Sequence, residues 1–128
     1  LLARHGEELF AVLLEPMQGS HGCLPGDVDF LKAVREETKA RGITMIFDEV
    51  MTSRLSPGGL QAKHGVIPDM TTLGKYIGGG MSFGAFGGKR EIMELFDPTR
   101  ADALPHAGTF NNNALTMVFD DAATAEIY

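Results

Sequence analysis

One aspartate and one lysine set the chemical question. Asp48 closes a short apolar run, Ile43-Thr-Met-Ile-Phe47, and Lys75 follows 27 positions later, just ahead of Gly78-Gly-Gly80. A lysine amine that loses water against an apolar wall is harder to protonate, which frees it to attack an aldehyde and form a Schiff base. A carboxylate beside a heteroaromatic ring nitrogen keeps that nitrogen protonated; at contact distance and an effective dielectric of about 20 the pairing is about 5 kcal/mol. The protonated ring can then withdraw electrons from a carbanion on a bound substrate. Alone, one Asp and one Lys say little, because most such pairs in a globular domain are solvated surface charges.

Competing chemistries find weaker support. Gly74-Lys75 is followed by Tyr76 and Gly88-Lys89 by Arg90, where a phosphate-binding loop needs Ser or Thr, and the earlier glycine of that motif is missing in both. Lys89 reads instead as a surface residue at a helix start. His5, His21, His64 and His106 have no spacing that sets two ligands on one helix face, so no metal site is expected. His21 is the histidine nearest a candidate site, because it lies in the loop after Glu15. The single Cys23 reads as a small buried filler, and Met51 and Met81 as core residues.

The elements that must position Asp48 and Lys75 are legible in the apolar pattern. Phe10-Ala-Val-Leu-Leu14 is a continuous apolar run stopped by Glu15-Pro16, which predicts a strand buried on both faces. Asp27 stands at an N-cap position ahead of Phe30, Leu31, Val34 and Thr38 at helical spacing, with Lys32, Arg35, Glu36 and Lys39 opposite. Gly42 falls at the C-cap, and the β-branched run Ile43 to Phe47 follows as a second strand. Strand, helix, strand with short joints is a right-handed crossover, so the two strands run parallel. Glu15 and Asp48 then meet at the carboxyl edge of the sheet, where open α/β sheets hold ligands.

Beyond Asp48, Met70 to Leu73 and Phe83 to Phe86 read as short buried strands, Lys89 to Phe96 as a helix, Asp97 to Pro105 as a loop, and Asn113 to Tyr128 as a helix. Glu15 is expected to accept backbone N–H bonds and shape its loop. Glu49 alternates to the face opposite Asp48 and is expected to hold a loop or an arginine such as Arg54. For Arg54 itself, structural pairing is preferred over binding a substrate carboxylate.

The 128 residues suffice for one domain, and no linker divides them. Formal net charge is −6 with no basic stripe, which argues against nucleic acid or an anionic membrane as partner. No apolar run approaches the roughly 20 residues that span a bilayer. One cysteine and no leader suggest a cytoplasmic setting. The chain begins with Leu1 and ends in an unfinished helix, so both ends are expected to be cuts in a longer protein.

Taken in order, Glu15-Pro-Met-Gln-Gly19, Phe47-Asp-Glu-Val-Met-Thr52, Pro68-Asp-Met-Thr-Thr-Leu-Gly-Lys75, Gly78-Gly-Gly80, Gly84-Ala-Phe-Gly-Gly88 and Ala107-Gly-Thr109 resemble the class III aminotransferases. The likeness covers nearly the whole chain and leans toward glutamate-1-semialdehyde 2,1-aminomutase and its aminotransferase relatives. It implies an α/β fold: part of the large domain of fold-type I enzymes, a mostly parallel sheet with flanking helices that binds pyridoxal 5'-phosphate (PLP). Residues 1–128 would lie within that domain, with an N-terminal segment and the C-terminal small domain missing. By the resemblance, Asp48 pairs with the pyridine nitrogen, Val50 packs on a ring face, and Lys75 carries the cofactor and shuttles the proton at the substrate α-carbon. Thr109 would bind the phosphate of the neighbouring subunit's cofactor in a homodimer, a bond to an ionised acceptor. The partners implied are an amino donor and a keto or aldehyde acceptor.

Two departures bear on the reaction. Ser20 stands where ornithine-type members carry a second glutamate, which favours the aminomutase side. Phe110-Asn-Asn-Asn-Ala114 stands where the aminomutase has Leu-Ser-Gly-Asn-Pro, which favours transamination of another amino acid or amine. Transamination is therefore the expected activity, with the aminomutase reaction of tetrapyrrole biosynthesis as the alternative. A further alternative treats the chain as a non-catalytic fragment serving folding or dimer contact. A long-wavelength absorption band on adding PLP to the chain would argue against that last reading.

Overall fold

A computed structural model describes residues 2–108 and residue 114. In chain order these form helix α1 (Leu2–His5), strands β1 (Ala11–Leu14), β2 (Met17–Gln18) and β3 (Leu24–Pro25), helix α2 (Val28–Arg41) and strand β4 (Thr44–Asp48). A 3-10 turn (Ser53–Leu55) and helix α3 (Gly59–His64) lead to β5 (Met70–Gly74), a second 3-10 turn (Lys75–Gly78) and β6 (Gly84–Gly88). Helix α4 (Arg90–Met93) and a third 3-10 turn (Glu94–Phe96) complete the described elements. No described helix is long and apolar enough to cross a membrane.

The main sheet has the order β1-β4-β5-β6. β1 pairs with β4 and β4 with β5 in parallel, as the crossover reasoning requires, while β6 returns antiparallel to β5. β2 and β3 form a small antiparallel ribbon inside the loop that follows Glu15.

Helix α2 starts and stops where its sequence says. The Asp27 carboxylate accepts the Phe30 backbone N–H at 2.8 Å, satisfying one orphan donor of the first turn. Gly42 takes a left-handed φ of 67° and its N–H donates to the Lys39 carbonyl. Leu31, Val34 and Thr38 face inward, and the two leucine and valine side chains pack with Met45, Phe47 and Val66 in one core cluster.

Three expectations need correction here. Phe30, read as part of the buried face, is 60% exposed, because the inward stripe is set by Leu31, Val34 and Thr38 one residue further round. The run Phe10 to Leu14 is not buried on both faces: Phe10 is 87% exposed and precedes β1, and β1 is the edge of the described sheet with Leu13 outward. Cys23 is exposed, in a turn with φ of 57°, rather than a core filler.

Asp69 joins four segments at the entrance to β5. Its carboxylate takes both Arg35 guanidinium nitrogens (2.6 and 3.0 Å), the Lys89 ammonium (2.7 Å) and the Met45 backbone N–H (2.8 Å). Its own N–H donates to the Met45 carbonyl at 2.8 Å and its carbonyl accepts from Lys89 N–H at 2.9 Å. Arg35 and Lys89, read from sequence as solvated surface residues, are thus tied to a buried acid. Burial alone would raise the Asp69 carboxyl, but the Arg35 and Lys89 hydrogen bonds outweigh it and hold the group well below the usual carboxylate range. This reciprocal pairing with Met45 pins β4 to β5, and those two strands deliver Asp48 and Lys75.

Candidate active site

β4 and β5 are adjacent and parallel, so their carboxyl ends open on the same edge. Asp48 is the last residue of β4 and aligns with Thr72; Lys75 directly follows the last residue of β5. With a strand spacing of about 4.8 Å and a rise of about 3.3 Å per residue, the two Cα atoms are about 11 Å apart. An aspartate and the long lysine stem can reach across such a gap to opposite parts of one six-membered ring.

Which face each side chain takes is decided by the backbone. Side chains alternate along a strand, so Asp48, its partner Thr72 and, two residues on, Gly74 share a face. The same alternation would send Lys75 to the other face. Lys75 instead has a φ of 57°, whereas a parallel strand has about −120°. The strand geometry therefore ends at Gly74, and alternation along β5 does not set the direction of the Lys75 side chain. A non-glycine residue in this region costs on the order of 1–3 kcal/mol and persists only where its surroundings impose it.

Asp48 is half-buried, and its Oδ1 accepts the Val50 backbone N–H at 3.1 Å, a turn that fixes Val50 above the strand end. Among the described residues, no hydrogen bond or ion pair reaches the other Asp48 oxygen or the Lys75 amine. Gly74 closes this corner: a Cβ there would stand 3.2 Å from the Phe83 carbonyl and 3.6 Å from a Val50 methyl. The structure therefore brings Asp48, Val50 and Lys75 to one edge. The apolar wall expected beside Lys75 is not supplied by the described residues, since Lys75 is exposed here. Thr109 lies outside the described residues.

The loop after Asp48 is held by a buried acid whose partners the sequence left open. Glu49 is fully buried and accepts Thr52 Oγ1–H (2.8 Å), Leu60 N–H (2.8 Å) and Gln61 N–H (3.0 Å). It holds a loop, as expected, and not Arg54. The Arg54 guanidinium lies 5.5 Å from the centre of the Tyr76 ring, while the Tyr76 hydroxyl donates to Ser53 Oγ at 3.1 Å. In the sequence Tyr76 entered only as a break in the phosphate-loop pattern, although an aromatic next to the lysine and a serine-arginine pair behind the Asp48 turn were there to be matched.

Glu15 accepts the Gly19 N–H at 2.9 Å and so shapes its loop as expected. With Gln18, His21, Leu24 and Phe30 it lines an open cleft of about 670 Å³ that includes neither Asp48 nor Lys75. Among the described residues no group of three or more His, Cys, Asp or Glu could hold a metal ion.

Known proteins resemble this chain in sequence and fold. Residues 1–127 match the sequence profile of the family described as "Aminotransferase class-III". The chain belongs to the class III aminotransferases. It is 57% identical over 127 residues to a beta-phenylalanine transaminase of Variovorax paradoxus, covering 99% of this chain and 29% of that protein. It is 46% identical over 121 residues to a glutamate-1-semialdehyde 2,1-aminomutase of Salinibacter ruber, covering 94% and 27%. A solved structure described as "Transaminase with PLP bound" superposes with a TM-score of 0.90 at 37% identity, over 99% of this chain and 30% of that one. The chain thus spans about three-tenths of the length of these class III relatives, and its mostly parallel α/β sheet is that of PLP-dependent transaminases of fold type I.

The residues present fit such a cofactor. Among the described residues, a carboxylate oxygen without a partner and an amine without a partner stand at the ends of neighbouring strands, and the glycine before the lysine lets the Phe83 carbonyl and Val50 pack closely there.

Proposed function

We propose that this chain forms part of the PLP-binding large domain of a longer enzyme that transfers an amino group from an amino acid or amine to a keto or aldehyde acceptor. The observation that supports the reading is that Asp48 and Lys75 stand at the carboxyl ends of neighbouring parallel strands, with Lys75 released from strand alternation by its left-handed backbone. Bound PLP supplies an aldehyde that captures an amine and a ring that withdraws electrons from the substrate α-carbon.

The chain's own residues do the rest. Asp48 would hold a proton on the ring nitrogen with one oxygen, while its other oxygen is held by Val50 N–H. Val50 covers one ring face. The Lys75 amine would hold the cofactor and would take and return a proton at the substrate α-carbon. Thr109 would donate its hydroxyl to the phosphate of the partner subunit's cofactor in a homodimer. Identity of 57% to a beta-phenylalanine transaminase supports a β-amino acid as the first donor to assay, ahead of the 1,2-amino shift suggested by the aminomutase likeness.

Reduction of the PLP-loaded full-length protein with borohydride, followed by peptide mapping, tests the assignment. The phosphopyridoxyl group is expected on Lys75, and its appearance on another residue overturns the reading.

A further inference from the structure

Something must keep Lys75 in a conformation that an L-residue avoids, and the contacts nearest to it point across to the loop after Asp48. Tyr76 shares a peptide plane with Lys75, so fixing the tyrosine limits the rotation of the lysine backbone. Its hydroxyl is hydrogen-bonded to Ser53 Oγ, its ring lies under the Arg54 guanidinium, and its carbonyl accepts Gly79 N–H at 3.2 Å. Arg54 has no acid within ion-pair distance among the described residues, so the Tyr76 ring is the contact the structure gives it.

The other side of this contact is anchored. Ser53 N–H donates to the Glu49 carbonyl at 3.0 Å, and Glu49 N–H donates to the Thr72 carbonyl of β5 at 3.1 Å. The buried Glu49 carboxylate then fastens the same loop to the start of α3. Ser53 and Arg54 are therefore referenced to the strand that carries Lys75, and Tyr76 closes the circuit.

We propose that Ser53, Arg54 and Tyr76 form a clamp between the Asp48 loop and the Lys75 turn, which holds Lys75 left-handed and aims its amine at the Asp48 face. The proposal rests on the reading of Lys75 as the cofactor lysine. The three are positioning residues: they act through Lys75 and touch neither cofactor nor substrate.

The test uses full-length apoprotein mixed with PLP, following growth of the long-wavelength absorption as the lysine nitrogen bonds the aldehyde carbon and water leaves. Tyr76→Phe and Arg54→Ala are each expected to slow this capture several-fold and the double variant about tenfold, the scale expected when a reacting group is displaced by a fraction of an ångström. Arg54→Lys, which keeps a cation for the ring, should restore part of the rate. In a Lys75→Ala background whose turnover is rescued by methylamine, adding the double variant should change nothing further, because the residue the clamp serves is gone.

Unaltered capture by the double variant overturns the clamp, as does a slowdown that persists in the rescued Lys75→Ala protein. A raised KM for carboxylate donors with normal capture also overturns it, and makes Arg54 a substrate ligand. Covalent capture by Lys75→Ala itself would instead remove the lysine assignment, and the clamp with it.

Discussion

Replacing Asp69 by asparagine removes one negative charge from a carboxylate that is 6% exposed and serves two cations and a backbone N–H. Asparagine keeps one acceptor oxygen but sets an NH2 group against donors, leaving the Arg35 guanidinium, itself mostly buried, without its bidentate partner. Breaking a buried pair from one side costs about 3–5 kcal/mol; the Lys89 contact adds under about 1 kcal/mol, since that side chain is nearly half exposed. We expect Asp69→Asn to lose about 3 kcal/mol, read from urea unfolding of the full-length protein. The pH dependence has a definite sign. The folded carboxyl lies below its ordinary value, so its contribution is complete above the unfolded pKa of about 3.9 and fades as pH falls below it, where only the unfolded chain takes up the proton. The gap between wild type and Asp69→Asn should therefore narrow on acidification below about pH 4. A loss below about 1 kcal/mol, or a gap that widens in acid, would refute the argument that Asp69 is the charged pin of β4 against β5.

Other sites give sharp expectations. Asp48→Asn retains an acceptor for Val50 N–H yet loses the charge, so kcat should fall by up to about 5,000-fold with folding intact, from the pairing of about 5 kcal/mol; steady-state kinetics beside a thermal melt would check it. Glu49→Gln places an amide NH2 among three donors in a fully buried position, and should lower stability by at least about 2 kcal/mol in urea unfolding. Gly42→Ala meets open space but a φ of 67°, so a loss of about 1 kcal/mol in the same assay is expected from backbone strain alone.

Much of the fold could be read along the chain because its signals are local. Asp27 and Gly42 bracket α2 because a cap needs only its own neighbouring N–H and carbonyl groups. The apolar run before Asp48 announces a buried strand, and the short joints around α2 make β1 and β4 parallel. Burial of α2 was harder to place, since Phe30 and Leu31 are both apolar and only packing against Met45 and Phe47 decides which turns inward. Arg35 and Lys89 likewise gave no sign in sequence of converging on Asp69, from 34 positions before it and 20 after.

For the candidate site, the sequence by itself determined the cast: an acid at the end of one strand, an amine just past the next, and glycines where backbone must pass closely. The tertiary structure decided whether that acid and amine could meet. Strand periodicity alone would send Lys75 to the face opposite Asp48, and the left-handed backbone of Lys75 ends that periodicity. A single left-handed residue after a strand leaves no periodic trace in the chain, which is why the candidate residues were readable in the sequence and the backbone that presents Lys75 was not.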